Sequence, residues 1–88
     1  MAAIEIYTTA YCPYCQWAKE LLNRKGVQYT EIDVGENLEL RAKMTARANG
    51  QSTVPQIFIG ERHIGGCDDL YALDDAGGLD PLLPSTKD

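Results

Sequence analysis

No stretch of this 88-residue chain is apolar enough for long enough to span a bilayer. Its first residues, Met1-Ala2-Ala3-Ile4-Glu5, carry neither a basic region nor a long apolar run. Export and membrane insertion are therefore not expected, and a cytoplasmic location is. Positive charge is scarce as well. Eight Lys and Arg against thirteen Asp and Glu leave a net charge of −5 and a pI near 4.7. Phosphate binding needs clustered cations and these are scattered, so nucleic acid is not an expected partner. Low-complexity tracts and internal repeats are missing too. Cysteine is sparse, at three residues. Secreted disulfide scaffolds of this size carry even sets, so an odd number in an unexported chain points to redox or metal chemistry. The length allows one domain over residues 1–88 with little core to spare, and a monomer is expected.

What is present reads as alternating short elements. Ile4-Glu5-Ile6-Tyr7 is β-branched and aromatic and predicts a first strand. Apolar positions at Tyr14, Cys15, Ala18, Leu21 and Leu22 follow helical spacing. Pro13 suits that helix's first turn, where a missing N–H costs nothing, and Gly26 suits its end. Val27 to Val34 reads as a second strand. Asn37 can cap a second helix running to about Ala48, closed by Asn49-Gly50. Gln56 to Ile59 and Arg62 to Ile64 form strands around a Gly60-Glu61 turn. Cys67-Asp68-Asp69 opens a last helix, because carboxylates favour its positive end, and Gly77-Gly78 closes it. Pro84 to Asp88 is expected to fray. The order β-α-β-α-β-β-α implies an α/β fold: a four-stranded mixed sheet, its first pair parallel through a right-handed crossover, with helices on both faces.

The decisive motif is Cys12-Pro13-Tyr14-Cys15 at a strand-to-helix junction. Only a thiolate attacks a disulfide. Cys12 sits where the orphan N–H groups and the dipole of the helix favour an anion, so its acidity is expected to be raised. Cys15 lies one turn further in on the same side. It can reach Cys12 to form or resolve a disulfide but is too buried to attack first. Cys12 is thus the nucleophile and Cys15 the resolving thiol. Two other readings exist. The pair could be inert buried cysteines, which behave as small hydrophobes. Alternatively, Cys12, Cys15, His63 and Cys67 could form a zinc set, although the two halves lie much further apart than in finger-type sites. No metal is expected.

At these residues the chain resembles the dithiol glutaredoxins, from Ile4 to about Leu83. Three blocks match in order: Cys12-Pro13-Tyr14-Cys15, Thr53-Val54-Pro55 and Gly65-Gly66-Cys67-Asp68-Asp69. The resemblance implies the thioredoxin-like fold and a glutathione groove beside Cys12. It implies a cis bond before Pro55 and strand-like pairing of the Val54 backbone with the glutathione cysteine. Thr53 belongs to the same wall, Tyr14 borders the groove, and Gly66, Cys67 and Asp68 hold the γ-glutamyl end. Helix-start N–H groups at Cys67 and Asp68 suit a carboxylate, and glycines let a ligand approach the backbone. Helix capping is the competing reading of Asp68 and Asp69. Cys67 is read as a small residue lining the groove rather than a third redox thiol. His63 and Trp17 are read as surface packing, and Tyr7 and Tyr11 as structural or groove-edge residues.

The implied activity is glutathione-dependent reduction of disulfide-containing and glutathionylated proteins, with glutathione as co-substrate. Two alternatives stay open: a thioredoxin-like electron donor fed by a flavoprotein reductase, and an iron–sulfur cluster carrier. One position departs from the family. Many members have a lysine before the active-site motif, where it supports the thiolate and meets the glycine carboxylate of glutathione; here the loop is Thr8-Thr9-Ala10-Tyr11. Arg41, Arg47 and Gln56 are the candidates to replace it.

Overall fold

The computed structural model describes residues 3–83, so the Pro84–Asp88 tail lies outside the described residues. The elements run β1 (Ile4–Thr8), α1 (Pro13–Arg24), β2 (Thr30–Asp33), α2 (Leu38–Arg47), β3 (Gln56–Ile59), β4 (Arg62–Gly65), α3 (Cys67–Asp75) and a short 3₁₀ turn (Asp80–Leu82). The strands form one sheet in the order β2-β1-β3-β4. β1 pairs parallel with β2 and antiparallel with β3, and β3 pairs antiparallel with β4. The predicted α/β architecture is therefore the one observed.

Alternation along β1 sends side chains to two cores. Ile4 and Ile6 join Ala18, Leu21, Leu22, Ile57, Ile59 and Leu70 beneath α1 and α3. Tyr7 joins Val34, Met44, Ala48 and Phe58 beneath α2. All three helices stop in the same way. Gly26, Asn49 and Gly77 adopt the left-handed conformation, at φ 73°, 58° and 79°. The N–H groups of Val27, Gly50 and Gly78 then reach back to the carbonyls of Leu22, Thr45 and Leu73, satisfying groups the helix ends would leave unpaired.

Two expectations need correction. The second strand is shorter than the predicted Val27–Val34, because Val27 is committed to the end of α1 and buries its side chain in the α1–α3 core. The 3₁₀ turn after Leu79 was not foreseen; it follows from sealing Leu79, fully buried, under the same core. A register shift in the β3–β4 ladder leaves Ile64 unpaired between His63 and Gly65. Such a bulge turns the strand end, and here it delivers Gly65-Gly66 and the start of α3 to the carboxyl end of β1, where Cys12 lies.

Candidate active site

β1 ends at Thr8, and the chain turns through Tyr11, at φ 60° and fully exposed, before Cys12 caps α1. Pro13 occupies the first turn, as expected. The Cys12 sulfur accepts the Cys15 N–H at 3.1 Å, so the side chain itself caps the positive end of the helix. That placement suits a sulfur anion. Cys12 is partly exposed, whereas Cys15 is buried at 1% exposure. Burial, then hydrogen bonding to Cys12, pushes the Cys15 thiol up to about 12. The two sulfurs thus have distinct environments: one reachable from solvent at the helix end, one held neutral behind it.

Beside the motif is a cleft of about 210 Å³. Tyr14 forms one edge, Thr53, Val54 and Pro55 one wall, and Gly66, Cys67 and Asp68 the other. These are the seven groove residues the resemblance implied, brought together from three separate stretches of chain. The Val54–Pro55 bond is cis. The α3 wall offers the first N–H groups of a helix, which have no intrahelical acceptor. Burial first, then the neighbouring Asp68 and Cys12, raise the Cys67 thiol, keeping it neutral as a lining residue.

Three further residues line the cleft: Gln51, Gln56 and Asp69. Gln56 is buried, and its Nε2 donates to the Thr53 carbonyl at 3.0 Å while its Oε1 meets His63 Nε2 at 2.6 Å. It ties the Thr53–Pro55 wall to the sheet, a task invisible to a reading that sought a partner for a carboxylate. Asp69 accepts the Gly66 N–H at 3.0 Å, so the capping reading holds for Asp69, while Asp68 stands exposed at the cleft.

The candidates for the missing lysine separate. Only Gln56 lines the cleft. Arg47 donates to Glu5 and Tyr7 on the α2 face, 4.1 Å above the Phe58 ring. Arg41 holds the Ser52 carbonyl with two hydrogen bonds, at 3.1 and 2.8 Å. Both arginines are engaged in holding structure. Thr9 itself lines a different depression, with Asp33 and Glu36. The zinc set does not assemble: His63 stacks on Phe58 in the α2-side core, away from Cys67 in the other. Among the described residues no three His, Cys, Asp or Glu side chains converge. Nor is any helix of the described residues long and apolar enough to cross a membrane.

A parallel β-α-β start with Cys-x-x-Cys at its helix end, facing a cis-proline loop, defines a thioredoxin-like thiol–disulfide oxidoreductase. Comparison narrows the class. The glutaredoxin family pattern matches residues 4–64, and the chain belongs to that family. It is 59% identical to glutaredoxin 3 of Escherichia coli over 83 residues, covering 94% of this chain and 99% of that one. The solution structure of glutaredoxin from Brucella melitensis superposes with a TM-score of 0.83 at 56% identity, covering 99% and 94% of the two chains. The crystal structure of a buckwheat glutaredoxin–glutathione complex gives 0.84 at 33% identity, over 93% and 76%.

Proposed function

We propose that this chain is a single-domain, monomeric cytoplasmic enzyme that reduces protein disulfides and glutathione mixed disulfides at the expense of glutathione. Cys12 is its nucleophile and Cys15 its resolving thiol. The observation that carries this reading is the cleft whose walls, Thr53-Val54-Pro55 and Gly66-Cys67-Asp68, flank the segment bearing Cys12. The Val54 backbone offers strand-type pairing to the glutathione cysteine, the α3 N-terminus offers N–H groups to the γ-glutamyl carboxylate, and Asp68 offers a partner to its amine. Kinship with a family member crystallised with glutathione supports the same assignment.

In the cycle, the Cys12 thiolate attacks one sulfur of the substrate disulfide. A new S–S bond forms, the old one breaks, and the departing sulfur leaves as a thiolate. With a glutathionylated protein, Cys12 retains the glutathionyl group and a second glutathione removes it as the oxidised dimer. With a protein disulfide, Cys15 loses its proton, attacks the mixed disulfide and leaves Cys12–Cys15 oxidised. Glutathione then reduces that bond, as the roughly −200 to −230 mV typical of glutaredoxins permits. The test is turnover of a glutathione mixed disulfide coupled to glutathione reductase, set beside turnover driven by thioredoxin reductase. Activity only in the second arm overturns the reading.

A further inference from the structure

We propose that the aromatic pocket between α1 and α3, built from Tyr14, Trp17 and Tyr71, docks an apolar side chain next to the disulfide cysteine of a protein substrate. The inference rests on the oxidoreductase reading above and adds a subsite to it. Of the four large apolar side chains exposed among the described residues, three lie on the segment that carries Cys12: Tyr11, Tyr14 and Trp17, at 100%, 53% and 49% exposure, with Leu38 on α2 the exception. Exposed apolar surface of this kind marks a place where something binds.

The pocket has a defined shape. It is an open depression of about 330 Å³ lined by Tyr14, Trp17, Cys67, Asp68 and Tyr71. Tyr14 and Trp17 meet edge to face, with centroids 5.3 Å apart and planes at 84°. The Tyr71 hydroxyl donates to the Trp17 carbonyl at 2.8 Å, tying α3 to α1. Aromatic side chains, with only two rotatable side-chain bonds, present large contact area at low conformational-entropy cost.

Its position identifies the occupant. Tyr14, Cys67 and Asp68 line both this pocket and the cleft beside Cys12, so the two are continuous. Any substrate sulfur must reach Cys12, and on the reading above glutathione, a tripeptide, occupies the first cleft. A polypeptide carrying the target cysteine continues beyond it, and the neighbouring surface it meets is this aromatic one. An apolar residue flanking the cysteine would bury itself there; a small polar residue would gain nothing.

The test uses disulfide-linked dimers of a short peptide with phenylalanine, or with serine, on both sides of its cysteine. Cys12 attacks one peptide sulfur and the other peptide leaves as a thiolate. Cys15 then releases the first, and glutathione with glutathione reductase returns the enzyme. The wild type should favour the phenylalanine dimer by roughly three- to tenfold in kcat/KM, the scale for partly burying one aromatic side chain. Trp17→Ala should bring the ratio near one while leaving turnover of a small glutathione mixed disulfide unchanged. Trp17 is the single tryptophan, so its emission provides a second measurement on the unmodified protein. The phenylalanine peptide with serine in place of cysteine should shift that emission saturably, and the all-serine version should not. Equal rates for the two dimers, a preference undiminished in Trp17→Ala, or an unmoved emission would each overturn the subsite. Failure of the wild type on the small glutathione mixed disulfide would instead overturn the underlying reading.

Discussion

The Cys15 backbone N–H points at the Cys12 sulfur across 3.1 Å, so the side chain of the proposed nucleophile caps the helix by accepting from the amide of the proposed resolving residue. The two cysteines lie within one helical turn in different surroundings, Cys12 partly exposed and Cys15 buried, which is the basis of the proposed division of labour. Cys12→Ser should reduce activity to the uncatalysed background with every disulfide substrate. Cys15→Ser should keep deglutathionylation and lose most protein-disulfide reduction, because only the second reaction needs a thiol to resolve the mixed species. Parallel assays with a glutathionylated peptide and a protein disulfide separate the two, and equal loss in both would reject the division of labour.

The buried Cys15 thiol also leaves a mark on stability at alkaline pH. Its folded value is raised from 9.0 to about 12 by burial first. The folded protein thus holds a proton that the unfolded chain releases above pH 9. Stability is full below the unfolded value and falls as pH rises through the window from 9 to 12, by up to about 1.4 kcal/mol per pH unit for this one proton. Denaturant titrations of the reduced protein from pH 8 to 11 should show a steeper decline for wild type than for Cys15→Ala. Parallel curves for the two proteins would count against the burial argument.

Glu31 works in the opposite direction. Its carboxylate accepts from the Thr8 hydroxyl at 2.7 Å and from Lys19 Nζ at 3.0 Å, and the Thr8 hydrogen bond, ahead of Lys19, lowers it below its ordinary value. A depressed carboxylate contributes stability above its unfolded value, and the contribution disappears as pH falls through the folded one. Thr8→Val should therefore cost about 1 kcal/mol at neutral pH and less at pH 3, since the lost bond is to the charged form. A penalty independent of pH would assign the effect to packing alone.

The start of α3 depends on one contact. Asp69 Oδ2 accepts the Gly66 N–H at 3.0 Å. Removing it with Asp69→Ala should cost about 1 kcal/mol, or about 4–8 °C in Tm for a domain this small, and raise the KM for glutathione by loosening the cleft wall. Gly65→Ala should cost more, roughly 2 kcal/mol or above. Gly65 is at φ 118°, and a Cβ there would come within 2.8 Å of Asp69 Cγ, straining the backbone and displacing the cap together. Thermal melts of the two variants test the order; Gly65→Ala as stable as Asp69→Ala would refute it.

The parts of this molecule legible in the sequence are those encoded locally. The turn of α1 at Pro13, the Asn37 cap that accepts the Leu40 N–H, and the helix ends at Gly26, Asn49 and Gly77 each rest on the conformational needs of single residues. Residues drawn together by the fold were not legible from local pattern. Nothing near Gln56 in the chain says that it meets both Thr53 and His63, and nothing near Arg47 says that it stacks on Phe58 while holding Glu5 and Tyr7. The assembly of Tyr14, Thr53–Pro55 and Gly66–Asp68 into one cleft, and the cis bond before Pro55, were expected only through the resemblance. Spacing alone contains no term for which distant segments the sheet will align.

Thr9 stands where the glutaredoxin resemblance implies a lysine, and its surroundings set the consequence of a threonine there. Thr9 lies in a depression with Asp33 and Glu36, separate from the cleft lined by Val54 and Asp68. A lysine introduced there has two carboxylates close at hand before any bound peptide arrives. An exposed pair contributes about 0.2–1 kcal/mol, so Thr9→Lys should raise glutathione-dependent kcat/KM by no more than about fivefold. Asp33 and Glu36 should hold the gain well under that limit by competing for the ammonium. Adding Asp33→Asn to Thr9→Lys should then increase the gain, since one competitor loses its charge while the side-chain oxygen that accepts the Gly35 N–H at 2.8 Å is kept. Both gains should shrink as salt rises, because exposed charges are screened over about 8–10 Å at moderate ionic strength. Kinetics of both variants at low and high salt, with Thr9→Gln as a control for size, distinguish charge from shape. If Thr9→Gln matches Thr9→Lys, the substitution acts through packing against Gly35, and the lost lysine carries no electrostatic cost in this chain.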